Sequence, residues 1–191
     1  MMQSSKVSLV AVCIAVAACA DAARTYSPSD DQVQISGFYN DGAADRDLRL
    51  EVVGNPFPNI PDTAFRQAVE ADLRGQPVAG RAPTAPKLDP GPTAKPLYRL
   101  VYAFGQPNAV YGNELCQIDP KGARPVAPSA TVTATAAFCV GGEAESFISG
   151  EVHATTPTDP GFVQLAQQMM DDVFRPDFQW RGAPGASMRT P

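Results

Sequence analysis

The prolines of this chain decide where regular structure has to stop. There are 19 of them, with 15 glycines, in 191 residues. Each proline pins its own φ, lacks an amide hydrogen and restricts the residue before it. They gather in Gly54–Pro61, in Gln76 to Pro96, in Asp119 to Ser129 and in the tail beyond Arg175. The segments between these breaks carry clear apolar periodicity, so each break reads as a loop and each interval as an element.

Leu48, Leu50 and Val52 alternate with Arg49, Glu51 and Val53, the pattern of a half-buried strand. After the stiff turn through Pro56, Pro58 and Pro61, Asp62 offers a helix cap. Phe65, Ala68, Val69 and Leu73 then share one helical face, and Gly75 closes the helix. Residues 76–96 hold almost no large apolar side chain and are expected to be a long surface loop. Tyr98, Leu100, Tyr102 and Phe104 mark a second strand, and Glu114 to Ile118 a short return strand. Val132, Ala134, Ala136, Phe138 and Val140 mark another, turned at Gly141-Gly142 into a partner over Glu145 to Thr155. Asp159-Pro160 opens a last helix with Phe162, Leu165, Ala166, Met169 and Val173 as its stripe. The fold class expected is α+β: a two-layer sandwich, with an antiparallel sheet of four to five strands and two helices on one face.

The expected domain is 47–175. Residues 19–46 are polar and acidic and read as a flexible tether reaching about 30 Å, with a short edge strand through Val33, Ile35 and Phe38-Tyr39 as the alternative. Residues 176–191 read as a loose tail, with Phe178 and Trp180 able to pin its first part.

Of four cysteines, Cys116 and Cys139 lie in the domain and are expected to form a disulfide. Closing that loop of about 24 residues should stabilise the fold by roughly 3 kcal/mol. A redox role lacks the C-x-x-C pattern. A zinc site lacks ligands, since His153 is the single histidine.

No catalytic, cofactor or metal motif stands out. His153 falls with Phe147, Ser149 and Glu151 on the strand face away from the core, where a surface role is expected. No G-x-S-x-G is present to supply a serine nucleophile. Asp30-Asp31, Asp171-Asp172 and the Glu143 and Glu145 pair are the nearest approach to the paired carboxylates of glycoside hydrolysis. Adjacent helix residues diverge by about 100°, so Asp171 and Asp172 read as a solvated face. Gly141-Gly142 lacks the spacing of a phosphate loop. Asn55 and Phe57, an amide and an aromatic ring at a strand end, are candidate partner contacts.

The first nineteen residues add a location. Lys6 precedes an apolar run from Val7 to Ala18, too short to span a bilayer, for which about 20 residues are needed. That run suits the core of a signal peptide, residues 1–18. Val16-Ala17-Ala18-Cys19 resembles the lipobox of bacterial lipoproteins. The resemblance implies that Cys19 is acylated and becomes the mature N-terminus, facing the periplasm. Ala20 after the cysteine, in place of an aspartate, implies outer-membrane sorting. The rival is cleavage after Ala20 or Ala22, which would free the protein into the periplasm or medium. The order of elements is also similar to that of small envelope lipoproteins that assist transport and outer-membrane assembly.

The formal net charge is −5, and loss of Lys6 with the signal makes the mature chain more negative. That balance disfavours general affinity for nucleic acid. The expectation is a non-enzymatic, lipid-anchored envelope protein without cofactor, binding the membrane through its lipid and another envelope protein through a sheet edge, loop or tail. The alternatives are a carrier or sensor of a small apolar ligand and, third, a cell-wall hydrolase.

Overall fold

Four long strands, buried along one face and over part of the other, set the architecture. The computed structural model describes residues 23–26, 35–76, 85–106, 112–119, 126–127 and 129–175. Its strands are β1 (Arg24–Tyr26), β2 (Asp47–Val53), β3 (Ala85–Lys87), β4 (Tyr98–Phe104), β5 (Thr131–Val140) and β6 (Glu143–His153). Its helices are α1 (Ile35–Gly42), α2 (Asp62–Leu73), α3 (Gly112–Cys116) and α4 (Pro160–Val173). The six strands form one sheet in the order β1-β6-β5-β4-β2-β3.

The fold is α+β, but the sheet is mixed rather than antiparallel. β2 runs parallel to both β3 and β4, whereas β4, β5, β6 and β1 pair antiparallel. The reason is connectivity. Parallel neighbours need a crossover of a dozen or more residues, and α2 with the following segment supplies it between β2 and β4. Alternation reports which face a residue takes and says nothing of strand direction.

One face of the sheet carries the main core. Leu48, Leu50 and Val52 of β2 join Tyr98, Leu100, Tyr102 and Phe104 of β4, Val132, Ala134, Ala136 and Phe138 of β5, and Ile148 and Val152 of β6. Phe65, Val69 and Leu73 of α2 cover one part of this surface, and Phe162, Leu165, Ala166, Met169, Met170 and Val173 of α4 cover another. The aromatic centre is a packed set in which the Phe162 ring lies 5.4 Å from Phe57, 5.9 Å from Phe65 and 5.6 Å from Phe104.

Four helices occur where two were expected. α1 occupies residues read as tether: Tyr39 is fully buried and its ring sits 4.9 Å from Phe174. β1 occupies more of the same stretch, pairing Arg24 with Glu151 and Tyr26 with Ser149. The edge strand therefore lies upstream of the Ile35 to Tyr39 segment, which is helical. Polar composition had hidden both elements, since each is short and contributes few core residues. Val33, Cys19 and the signal lie outside the described residues, as does the tail 176–191.

α3 replaces the expected return strand at Glu114 to Ile118. It lies on the far face, where Leu115 and Cys116 pack with Val53, Val101, Ala103, Ala137 and Cys139. The Cys116–Cys139 disulfide is present, with Cα atoms 5.7 Å apart, and it holds α3 above β5. An Arg99 Nη2 hydrogen bond to the Cys116 carbonyl ties the same helix to β4. Five residues carry too little periodicity to separate helix from strand.

β3 falls inside the stretch expected to be loop throughout, of which 77–84 lie outside the described residues. Its Pro86 is tolerated because β3 is an edge strand, where a missing amide hydrogen breaks no ladder. The segment after it is fastened to the start of β2. Lys87 Nζ lies 2.8 Å from Asp47 Oδ1, and the Gly91 amide donates to Asp47 Oδ2 at 2.8 Å. These bonds hold the Asp47 carboxyl below its ordinary range, the Lys87 contact most of all.

The helix ends differ in detail from expectation. Pro61, not Asp62, is the N-cap of α2, and Asp62 is its first helical residue. Gly75 follows the C-cap Arg74 with φ +73°, as a closing glycine should. Asp159 is the N-cap of α4 with Pro160 at the first position, but its carboxylate turns backward. It accepts from the amides of Thr155 at 2.6 Å and Thr156 at 3.1 Å.

Candidate functional site

Asn55 and Phe57, the candidate partner contacts, are both engaged within the domain. Asn55 Nδ2 donates to the Ile60 carbonyl at 2.7 Å and to Asp62 Oδ1 at 3.0 Å, while its Oδ1 accepts from the Phe57 amide at 3.0 Å. The amide is thus the internal fastener of the turn. Phe57 is 4 % exposed and makes edge contacts with Phe65 and Phe162. The ring is thus tucked inward, as in a plain strand-to-helix connection.

His153 is exposed, with Nδ1 3.2 Å from Thr131 Oγ1 and 3.3 Å from the Ala130 carbonyl. Glu151 lies opposite Arg24 and Thr133 on neighbouring strands. Among the described residues, no three His, Cys, Asp or Glu side chains cluster as a metal site would need.

Asp171 and Asp172 part company as their helical spacing dictates, but they do not share a solvated face. Asp171 pairs with Arg175 one turn on. Asp172 is 4 % exposed and accepts from Thr25 Oγ1 at 2.8 Å, with Gln168 Nε2 donating to the same hydroxyl at 2.9 Å. Burial raises its pKa, opposed by the Thr25 hydroxyl and by Arg175. A carboxylate near the negative end of a helix is unfavourable. Here that carboxylate fastens β1 to α4. Other buried polar groups are likewise structural, with Tyr102 OH donating to the Ala166 carbonyl at 2.8 Å and Ser146 Oγ to the Val173 carbonyl at 2.6 Å.

Asp72 stands apart. Its Oδ2 is buried without a hydrogen-bond partner among the described residues, and burial pushes its pKa from the ordinary 3.8 up to about 6. A carboxyl whose folded pKa is raised is penalised as an anion, so the penalty is full above pH 6 and fades as pH falls toward 4. Asp72→Asn is therefore expected to raise stability by about 1 kcal/mol at pH 8, after allowance for solvent screening, and to change little at pH 4.5. Urea unfolding at the two pH values reads this directly.

The feature with the geometry of a binding site lies at the outer edge of β2. β3 pairs only with Asp47, Leu48 and Arg49. Leu50 to Val53 pair with β4 on one side, and no described strand lies on the other. A strand edge left in this state presents main-chain donors and acceptors to another chain. Beside it is a cleft of about 340 Å³ lined by Leu50, Glu51, Val52, Thr63, Arg66, Gln67 and Leu88. Leu50 and Val52 form its apolar floor, α2 one wall and Leu88 the rim. No described carboxylate forms an ion pair with Arg66 on the wall, whereas Glu51 Oε2 lies 3.4 Å from Arg99 Nε. The site arises because the chain leaves the sheet after Lys87, halfway along β2.

No family model and no curated protein matches the chain. Among solved structures it is similar to the PelC dodecamer from Paraburkholderia phytofirmans. The TM-score is 0.36 and the identity 14 %, over 81 % of this chain and 94 % of that one. A point variant of the same dodecamer gives a TM-score of 0.35 and 13 % identity, over 82 % and 96 % of the two chains. Likeness at this level carries no argument about activity or assembly.

Proposed function

We propose that this protein is a lipid-anchored component of a bacterial cell envelope, acylated at Cys19, that captures an extended segment of another envelope protein along β2. The observation that carries the binding half is the edge at Leu50–Val53, on which no described strand pairs, beside a largely apolar cleft. Unmet main-chain groups select another main chain, and a strand added there continues the sheet where β3 leaves it. Alternate side chains of such a strand point the same way, so one apolar residue enters the cleft over Leu50 and Val52. An acidic residue nearby on the segment would meet Arg66. The anchor half rests on the lipobox resemblance of Val16-Ala17-Ala18-Cys19.

The test places a photoreactive amino acid at Thr63, on the exposed first turn of α2, in cells of a Gram-negative host. The expected result is one dominant adduct whose crosslinked peptide is an extended segment. Leu88→Asp, which puts a charge on the rim, should reduce that adduct at least tenfold without changing the Tm by more than a few degrees. An adduct indifferent to Leu88→Asp would overturn the edge as the binding site.

The same cleft favours a second reading, a carrier of a small apolar ligand, because its volume falls in the range of ligand pockets. Native mass spectrometry of the purified protein separates the two, since a carrier retains bound lipid and a strand-binding module does not.

A further inference from the structure

The domain has two unlike ends. The registers of β2, β4, β5 and β6 fix them: Asp47, Tyr98, Val140 and Glu143 lie at one, and Val53, Phe104, Thr131 and His153 at the other. The first end is crowded with charge, including Arg46, Asp47, Lys87, Lys95, Glu143 and Arg175. Among the described residues at the second end, the exposed Pro58, Asn59, Ser129, Ala130, Thr155 and Thr158 are small or neutral, and none of those in 54–61, 126–131 and 153–160 is lysine or arginine; Lys121 and Arg124 lie outside the described residues. The two acids there are engaged internally, Asp62 with Asn55 and Asp159 with Thr155 and Thr156.

The described part of the chain begins at this end. β1 is antiparallel to β6, so Arg24 lies beside Glu151, near the His153 terminus, with Ala23 before it. β1 is held in place by the Thr25 bond to Asp172 and by the Gln168 bond to Thr25. Only four residues separate Cys19 from Arg24. Even fully extended they reach roughly 17 Å. β6 alone, with 11 residues, is about 35 Å long. The anchor is too short for the charged end to reach the bilayer.

We infer that the protein rests with its neutral end, the turns at Asn59, Ser129 and Thr155, against the lipid surface, and that the charged end and the flank bearing the β2 edge face outward. This rests on the anchored reading above and adds to it a fixed orientation. It also replaces the tether of about 30 Å expected from sequence with a close apposition, because β1 is docked.

The experiment uses the mature protein with its lipid in nanodiscs of phosphatidylethanolamine and phosphatidylglycerol that carry a gadolinium-chelate lipid. Amide signals of Asn59, Ser129 and Thr155 should be strongly attenuated, and those of Ala94, Gly142 and Glu143 unaffected. Uniform attenuation, or attenuation strongest at Glu143, would overturn the orientation. Intact mass reports separately whether Cys19 is acylated. If it is not, a protein produced to begin at Cys19 and coupled there to a maleimide phospholipid restores a short anchor, and the same attenuation pattern then tests the orientation on its own.

Discussion

Phe162→Ala is expected to destabilise the protein by about 3–5 kcal/mol, the usual cost of emptying a buried phenylalanine site. The site gives little scope for collapse. Phe162 is fully buried on the first turn of α4, and its ring is shared among Phe57, Phe65 and Phe104 from a turn, a helix and a strand. Removing it opens a hole where α2, α4 and the sheet meet. Phe57 is the most exposed of the three neighbours and loses its partner on one side. Urea unfolding should show a lower midpoint with a nearly unchanged slope. A loss below about 1.5 kcal/mol would mean that α4 is not seated on the sheet as described.

Gly54→Ala should be comparably damaging although it adds a single methyl group. Gly54 has φ +77°, and a Cβ there would lie 2.4 Å from the Phe104 carbonyl oxygen and 2.9 Å from Gln106 Nε2. The left-handed conformation costs roughly 1–2 kcal/mol for a residue with a Cβ. The clash with main chain adds about 1–3 kcal/mol, since β4 cannot retreat without disturbing its pairing to β2. Gly75 is the internal control. It has φ +73° but open space around its missing Cβ, so Gly75→Ala should cost only about 1 kcal/mol. Equal losses at the two glycines, measured by thermal unfolding, would contradict the packing at the end of β2.

What could be read from sequence was the face each residue takes. Tyr98, Leu100, Tyr102 and Phe104 do share the core face, as do Val132, Ala134, Ala136 and Phe138, because period-2 alternation in long strands reports burial. The disulfide followed from two cysteines left after the signal is set aside. Strand direction was not legible, since alternation is blind to it. Nor were the short elements, because α3 and β3 are shorter than the window over which periodicity is meaningful. The β2 edge proposed as a binding site was illegible for a further reason. It exists because β3 stops after Lys87, and no pattern within β2 records how far a neighbour extends. Asn55 bonds within its own turn, to Ile60 and Asp62, while the ring of Phe57 meets Phe65 and Phe162 from the two helices.

Both the proposed membrane location and the inferred orientation of the domain depend on Cys19. The direct test is to express the full chain and a Cys19→Ala variant in a Gram-negative host with labelled palmitate and to weigh the mature proteins intact. Label and a mass matching triacylated Cys19 are expected in the wild type, with neither in the variant. An unlabelled wild type cleaved after Ala20 or Ala22 would contradict the anchor and make the protein a free one, with the β2 edge still open but no membrane to orient it.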